Sequence, residues 1–180
     1  MTRSFKVKDT LYHGTIIKIG SVDLNEGQGY KDFGKGFYLA YDKKQASKMI
    51  QKRYNQAKQR KQHFDGKFLY AFDTDLEILS QCKVKIFASA NIDWLDFVLK
   101  CRDSSGTPHD YDVVIGPTAD DDTNLCLNMY KEGVYGEVDS LKAKETLLRN
   151  LETENLGIQV FIGTEKGLNI LKNKREVATK

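Results

Sequence analysis

Strand-like and helix-like segments do not alternate regularly along this chain, and their order restricts the fold more than any other property of the sequence. Apolar segments with strand character dominate the two ends, whereas segments with helical spacing fill the middle. Regular alternation would build the βαβ units of a doubly wound parallel sheet. The order therefore predicts an α+β fold. A length of 180 residues suits one domain, residues 1–180, with a single core.

The local patterns place the individual elements. Strands are predicted at residues 10–13, 37–40, 68–72, 76–79, 111–115 and 157–162. Helices are predicted after Asp42, a good N-cap, and at residues 92–101, 123–130, 140–151 and 164–171. One face of the first helix carries Ala46, Met49, Ile50, Arg53 and Ala57. Five glycines between residues 20 and 36 predict a loop there.

The composition restricts the cellular location and the partners that the sequence predicts. The net charge of +3 directs the chain neither to nucleic acid nor to a membrane. No apolar stretch has the length of a signal peptide or a bilayer span. Cys82, Cys101 and Cys126 form an odd set without a CxxC pair or a histidine at ligand spacing, so we expect neither disulfides nor a metal. The sequence therefore predicts a cytoplasmic protein without a membrane partner.

Several enzyme motifs are present only in part. Gly27 and Gly29 begin a dinucleotide fingerprint, but Asp32 stands where its last glycine is required. Residues 34–36 lack the Ser or Thr that follows the lysine of a P-loop. Residues 32–34 copy a kinase triplet in a chain without an H-R-D element. The Rossmann, P-loop and kinase classes are therefore excluded.

Two motifs in series point to a different class. Tyr12-His13-Gly14-Thr15, followed about twenty residues later by F-G-K-G-F-Y-L-A at residues 33–40, resembles two motifs of the ADP-ribosyltransferase superfamily. The first is similar to the aromatic-His-Gly-Ser/Thr signature of diphtheria toxin and the poly(ADP-ribose) polymerases, and the second to the F-G-K-G-I-Y-F-A stretch of those polymerases. Bacterial domains of this superfamily add D-[VI]-V-I-G-P-x-A-D-D, which stands here at residues 112–121. The resemblance covers roughly residues 11–171 and implies a split β-sheet core with peripheral helices.

The resemblance implies NAD as the substrate and no metal. A glycine after a strand lets a flat ligand approach, so Gly14 is expected to offer its N–H and C=O to the nicotinamide carboxamide. His13 is expected to bind ribose hydroxyls, and the Tyr38 ring to stack on nicotinamide. Met49 stands where the superfamily has a second ring. The residues predicted to contact NAD are Tyr12, His13, Gly14, Thr15, Gly36, Phe37, Tyr38 and Met49.

The catalytic position departs from the superfamily. The resemblance puts its catalytic glutamate, on a late strand before a capped helix, at Gln159. Cleavage of the N-glycosidic bond develops oxocarbenium character, which a carboxylate stabilises. Glutamine can bind the 2′-hydroxyl but brings no charge. Asp120 or Asp121, after a buried strand and a Gly-Pro turn, are the candidate replacement acids, whereas Glu165 is assigned to the last helix.

A basic segment lies next to these motifs. Nine basic residues and one acid occur between Lys43 and Lys67. Such a run is usually a solvated helix face. Its closeness to the predicted NAD site leaves a nucleic-acid or pyrophosphate-binding role open.

Three functions follow from these observations. The first is a toxin-like enzyme that transfers ADP-ribose from NAD to an intracellular macromolecule, either protein or nucleic acid. The second is a catalytically weak or inactive module that binds NAD or ADP-ribose, which Gln159 favours. The third is a protein-interaction domain with an empty pocket and a small protein partner. A fold resemblance alone does not decide among them.

Overall fold

One mixed sheet organises the part of the chain that the structure describes, a computed structural model of residues 7–119, 121–151 and 156–179. Its strands are β1 (Thr10–Thr15), β2 (Phe37–Ala40), β3 (Phe68–Thr74), β4 (Val84–Ile86), β5 (Val113–Pro117), β6 (Ile158–Ile162) and β7 (Leu171–Val177). Their order across the sheet is β4-β5-β6-β2-β1-β3-β7. The β4–β5 pair is parallel and the other neighbours are antiparallel. With the helices, this sheet confirms the predicted α+β class.

The helices begin at polar caps. They are α1 (Lys43–Arg60), α2 (Leu76–Ser80), α3 (Ile92–Arg102), α4 (Asp121–Lys131), α5 (Leu141–Asn150) and α6 (Glu165–Leu168), with a 3-10 helix at Leu24–Glu26. The Asp42 carboxylate accepts the Lys44 N–H at 2.6 Å at the start of α1, as predicted. The Thr164 hydroxyl accepts the Gly167 N–H at 3.0 Å at the start of α6. Such caps satisfy N–H groups that have no partner within the helix.

Two predicted elements are wrong. Residues 76–79 form helix α2 rather than a strand, because the Asp75 carboxylate accepts the N–H groups of Glu77 and Ile78 at 3.1 Å each. The helix predicted at residues 164–171 ends at Leu168, and the chain then forms β7 against β3. Strands β4 and β7 were not predicted, and β5 continues through Pro117, beyond the predicted stop.

Three apolar clusters cover the faces of the sheet, and the smallest packs Ala46 and Ile50 of α1 on Leu69 of β3. The first packs α3, α4 and α5 on one face, with Trp94, Leu147 and Phe161 fully buried in it. The second covers the other face and includes Phe37. Since neighbouring residues of a strand face opposite sides, Tyr38 packs against the first cluster. The motif at residues 36–38 thus contributes to both sides of the core.

Candidate functional site

Strands β1 and β2 pair at one end and separate at the other. Tyr12 pairs with Ala40, and within the described residues no further β1–β2 pair follows toward Gly14 and Tyr38. On its other edge β1 pairs with β3 along its whole length, Thr10–Thr15. The sheet is therefore split, and the gap opens where the two predicted NAD-binding motifs face each other.

The alternation of the ladder decides which backbone groups face this gap. The Thr74 N–H donates to the Asp9 carbonyl at 2.9 Å, next to the Thr10–Asp73 pair. Backbone groups of an antiparallel strand point alternately to its two neighbours. Odd-numbered residues of β1 consequently bond to β3, and even-numbered residues face β2. The N–H and C=O of Gly14 therefore point into the gap.

His13 spans the gap with its side chain. Its Nδ1 lies 2.7 Å from the Tyr38 carbonyl oxygen, and its ring stacks on Phe37 with centroids 4.4 Å apart. A carbonyl only accepts, so Nδ1 donates and Nε2 of the neutral ring remains an acceptor. Burial lowers the pKa of His13 to about 4, against the opposing effect of the Tyr38 hydrogen bond, and the charge of Arg53 lowers it further. The ring is neutral at pH 7.

Packing requires glycine at position 14. A Cβ there would lie 2.3 Å from the Ala46 carbonyl oxygen and 2.7 Å from Ile50 Cγ1, both on α1. The sequence reasoning assigned this glycine to ligand approach. The structure adds a separate cause, because any side chain would push α1 away from β1. The ligand role stays a prediction, since the N–H and C=O face the gap whatever lies on the α1 side.

Other motif residues also have roles within the fold. A Cβ on Gly36 would lie 2.4 Å from the Ile162 carbonyl oxygen. Phe37 is buried in the second cluster. The Thr15 hydroxyl accepts the Ile17 N–H at 3.1 Å in the turn after β1. These contacts explain the residue types without a ligand, so their NAD contacts stay predictions.

Tyr38 uses its hydroxyl to shape the preceding loop. The hydroxyl donates to the Gly34 carbonyl at 2.6 Å and accepts the Phe33 N–H at 3.0 Å. The ring meets Phe161 edge to face, with centroids 5.2 Å apart. Burial raises the pKa of Tyr38 well above its ordinary value. Only the ring is left for the predicted stacking on nicotinamide.

The remaining predicted NAD contacts lie at the edges of this region. Tyr12 is half-buried and lines an open cavity of about 660 Å³ together with Lys8 and Tyr41. Met49 is 41% exposed on α1, so it is not part of the buried core. The contacts of Tyr12 and Met49 with NAD stay predictions.

Gln159 lies on β6, where it pairs with Ala40 of β2. Its side chain is buried, and Nε2 donates to Asp32 Oδ2 at 2.8 Å and, more weakly, to the Pro117 carbonyl at 3.5 Å. A carboxylate accepts and cannot donate, so this contact fixes which end of the amide points inward. Asp32 is therefore part of the candidate site.

Asp32 is held on every side. Its Oδ1 accepts from Arg102 Nε at 2.9 Å and Nη2 at 2.5 Å, and Oδ2 also accepts the Ala119 N–H at 2.9 Å. Its side chain is only 10% exposed. Sequence reasoning treated Asp32 only as a misfit to the dinucleotide fingerprint. The signal that could have found it is its place at the head of the D-F-G-K-G-F-Y motif.

Hydrogen bonds from the segment between α3 and β5 fix the loop that carries Asp32. The Lys35 N–H donates to the Gly106 carbonyl at 3.1 Å. His109 Nε2 lies 2.8 Å from the Phe33 carbonyl and donates to it. These bonds hold the loop on both sides of Gly34, next to the Tyr38 hydroxyl.

Asp120 and Asp121, the candidate acids, follow β5 in the sequence. Asp120 lies outside the described residues, and Asp121 begins α4 with only its backbone described. Glu165 begins α6, as expected. Asp112, the first residue of the third motif, accepts the Thr164 hydroxyl at 2.6 Å and joins β5 to the start of α6. The roles of Asp120 and Asp121 stay predictions.

The charge of Arg53 acts on both His13 and Lys31. Burial lowers the pKa of Arg53 on α1. Burial also lowers the pKa of Lys31, and the nearby Arg53 adds to the effect. The nearby Asp32 carboxylate opposes the shift of Lys31.

Two further observations concern cofactors and membranes. Over residues 7–119, 121–151 and 156–179, no group of three or more His, Cys, Asp or Glu side chains is placed to hold a metal ion. In the same part of the chain, no helix combines the length and apolarity needed to cross a bilayer. Cys101 is buried, and Cys82 and Cys126 are half-buried; all three are free thiols.

Comparison with known proteins adds a family. No curated protein and no solved structure matches the chain. A family model described as "Protein of unknown function (DUF3990)" matches residues 10–173, from the start of β1 into β7. That match includes the split, the Asp32 loop and Gln159. The chain therefore belongs to the DUF3990 family.

Proposed function

We propose that this chain binds NAD in the gap between β1 and β2 and transfers its ADP-ribose to an intracellular macromolecule. The observation that carries the proposal is the split itself. Where the ladder opens, it leaves the N–H and C=O of Gly14 directed at a space between two strands, which the His13 side chain crosses to reach the Tyr38 carbonyl. Unpaired backbone groups within a sheet are uncommon and call for a partner.

NAD matches these groups one by one. The nicotinamide carboxamide has one donor and one acceptor, as the backbone of Gly14 has. The neutral His13 ring offers Nε2 to a ribose hydroxyl, which donates. Arg53, whose charge acts on both His13 and Lys31, adds positive charge to which the pyrophosphate would bind.

The proposed reaction is a displacement at the nicotinamide ribose. The C–N glycosidic bond breaks, and its electron pair leaves with neutral nicotinamide. An acceptor nucleophile then bonds to the ribose carbon and loses a proton. Gln159 binds the 2′-hydroxyl through Oε1 without adding negative charge. Loss of one such electrostatic group costs about a hundred- to a thousandfold in rate, so we expect slow turnover unless Asp120 or Asp121 supplies an acid.

A second function has a specific observation in its favour. The Gln159 amide is held by Asp32, whose own charge is paired with Arg102. A neutral group fixed at the reacting ribose suits a module that binds NAD or ADP-ribose without cleaving it. The same split would hold the ligand in either case.

Two measurements on the same protein separate these functions. Purified protein is incubated with NAD labelled in the adenosine half, with and without cell lysate, while nicotinamide release is followed. We expect label on a macromolecule and slow nicotinamide release. NAD binding without labelled macromolecule and without nicotinamide release would support the binding module. The absence of binding, label and release together would refute both.

Matched variants tie the result to the site. His13→Asn keeps a donor for the Tyr38 carbonyl and removes Nε2, so it should weaken NAD binding and reduce labelling at subsaturating NAD. His63→Asn changes an exposed histidine and should not. Asp120→Asn and Asp121→Asn test the candidate acids: loss of nicotinamide release in one of them, with NAD binding retained, identifies it as the replacement acid.

A further inference from the structure

Asp32 and Gln159 form a buried pair between segments 127 residues apart in the chain. Asp32 comes from the loop before β2 and Gln159 from β6, two strands that pair with each other. From the described residues, the Asp32 carboxylate accepts four hydrogen bonds, two from Arg102, one from Ala119 and one from Gln159. The carboxylate therefore needs a donor at position 159.

This requirement determines what residue 159 presents on its other side. With Nε2 directed to Asp32, the amide oxygen Oε1 is the group that remains. Both hydrogen bonds of the Gln159 side chain with described residues leave from Nε2. Oε1 is a neutral acceptor, so it fits a ligand hydroxyl.

We propose that Asp32 is the positioning residue of this site, fixing the Gln159 amide so that Oε1 is presented as a neutral hydrogen-bond acceptor to a ligand hydroxyl. The identity of that ligand as NAD rests on the proposed function. The pairing of Asp32 with Gln159 does not. Residues 32 and 159 thus form one unit, in which the carboxylate belongs to the loop and the amide to the strand.

The unit explains why residue 159 is glutamine. A glutamate there would bring a second carboxylate to hydrogen-bond distance of Asp32. Two such groups cannot both ionise without strong repulsion, and one must take a proton. Gln159→Glu alone is therefore expected to harm the fold at neutral pH rather than simply to restore a catalytic charge.

A double-mutant cycle tests the proposal. The variants are Asp32→Asn, Gln159→Glu and the two together, in the full chain, with exposed Gln56→Glu as the control for a new carboxylate. In Asp32→Asn, the introduced amide nitrogen faces Gln159 Nε2, so two donors meet and the hydrogen bond between the side chains is lost. In the double variant the introduced asparagine donates to the introduced glutamate, so that contact is restored in the opposite sense, although Ala119 N–H still lacks its acceptor. We expect the double variant to melt at a higher temperature than either single variant.

The pH dependence distinguishes this pairing from general damage. In folded Gln159→Glu, Asp32 would raise the pKa of the introduced carboxyl group, so the loss of stability grows as pH rises above the ordinary glutamate value of about 4.3. The double variant and Gln56→Glu should lack this dependence. Additive Tm changes, or Gln159→Glu as stable as the wild type at pH 8, would overturn the proposal.

NAD affinity supplies the readout that a purely structural role would not move. Asp32→Asn releases the amide and should weaken NAD binding roughly tenfold, a typical loss for one hydrogen bond. The double variant restores an acceptor at position 159 and should recover the affinity. Failure to recover, in a double variant that has regained stability, would reject the positioning role. A non-additive cycle in a protein that does not bind NAD would uphold the pairing and refute the proposed function.

Discussion

Replacing Gly14 with alanine tests whether α1 and β1 are packed as tightly as the structure indicates. The new Cβ would lie 2.3 Å from the Ala46 carbonyl oxygen, whereas ordinary contacts begin at 3.4 Å. The helix would have to move by at least 0.7 Å to reach the tightest contact that Cβ atoms make, 3.0 Å, and by 1.1 Å to reach an ordinary one. The obstacle is backbone, so no change of side-chain rotamer relieves it. We expect a cost of about 3 kcal/mol, near the upper end for overpacked cores.

Differential scanning calorimetry measures the effect. A loss of about 3 kcal/mol corresponds to a decrease in Tm of roughly 6–12 °C for a chain of this size. Gly20→Ala is the matched control, because a Cβ there meets nothing within 4 Å. Its Tm should stay within about 2 °C of the wild type. A Gly14→Ala protein with the same small change would refute the packing argument.

Three further predictions use other contacts. The pKa of His13 is about 4 in the folded chain and about 6.5 in the unfolded chain, so the unfolded chain binds the proton first as pH falls. The free energy of unfolding should therefore decrease between pH 6.5 and pH 4, by on the order of 3 kcal/mol. Urea unfolding of His13→Asn should lack this decrease. If α1 binds RNA, changing the exposed Lys44 and Lys48 to Gln should reduce the slope of log affinity against log salt by about 1.4–1.8 in anisotropy titrations. If no RNA binds at low salt, the basic residues form a solvated helix face. Asp75→Ala removes the cap of α2 and should cost about 1 kcal/mol in urea unfolding; an unchanged midpoint would contradict its capping role.

Local signals predicted much of the fold. The position of β2 follows from its aromatic run, and Asp42 marks the start of α1, because such caps act within three residues. Residues 76–79 were wrongly predicted as a strand, since an apolar run this short is compatible with strand and helix. The N-cap at Asp75 favours the helix. Strand β7 carries mostly exposed polar residues and has no period to recognise; its pairing with β3 defines it.

The candidate site was predictable only where its parts are close in sequence. His13 and Gly14 stand together in one motif. The split between β1 and β2 depends on long-range pairing and follows from no local pattern. Asp32 was overlooked for the same reason, because its partners Arg102 and Gln159 lie 70 and 127 residues away.

A calorimetric titration of the protein with NAD is the direct test of binding in the gap between β1 and β2. We expect one NAD bound per chain at neutral pH, with affinity reduced roughly tenfold in His13→Asn, where one hydrogen bond to the ribose is lost, and unchanged in His63→Asn. Because His13 is neutral down to a pH of about 4, the affinity should be the same at pH 6 and pH 8. No heat of binding at millimolar NAD, or equal affinities in the wild type and His13→Asn, would contradict it.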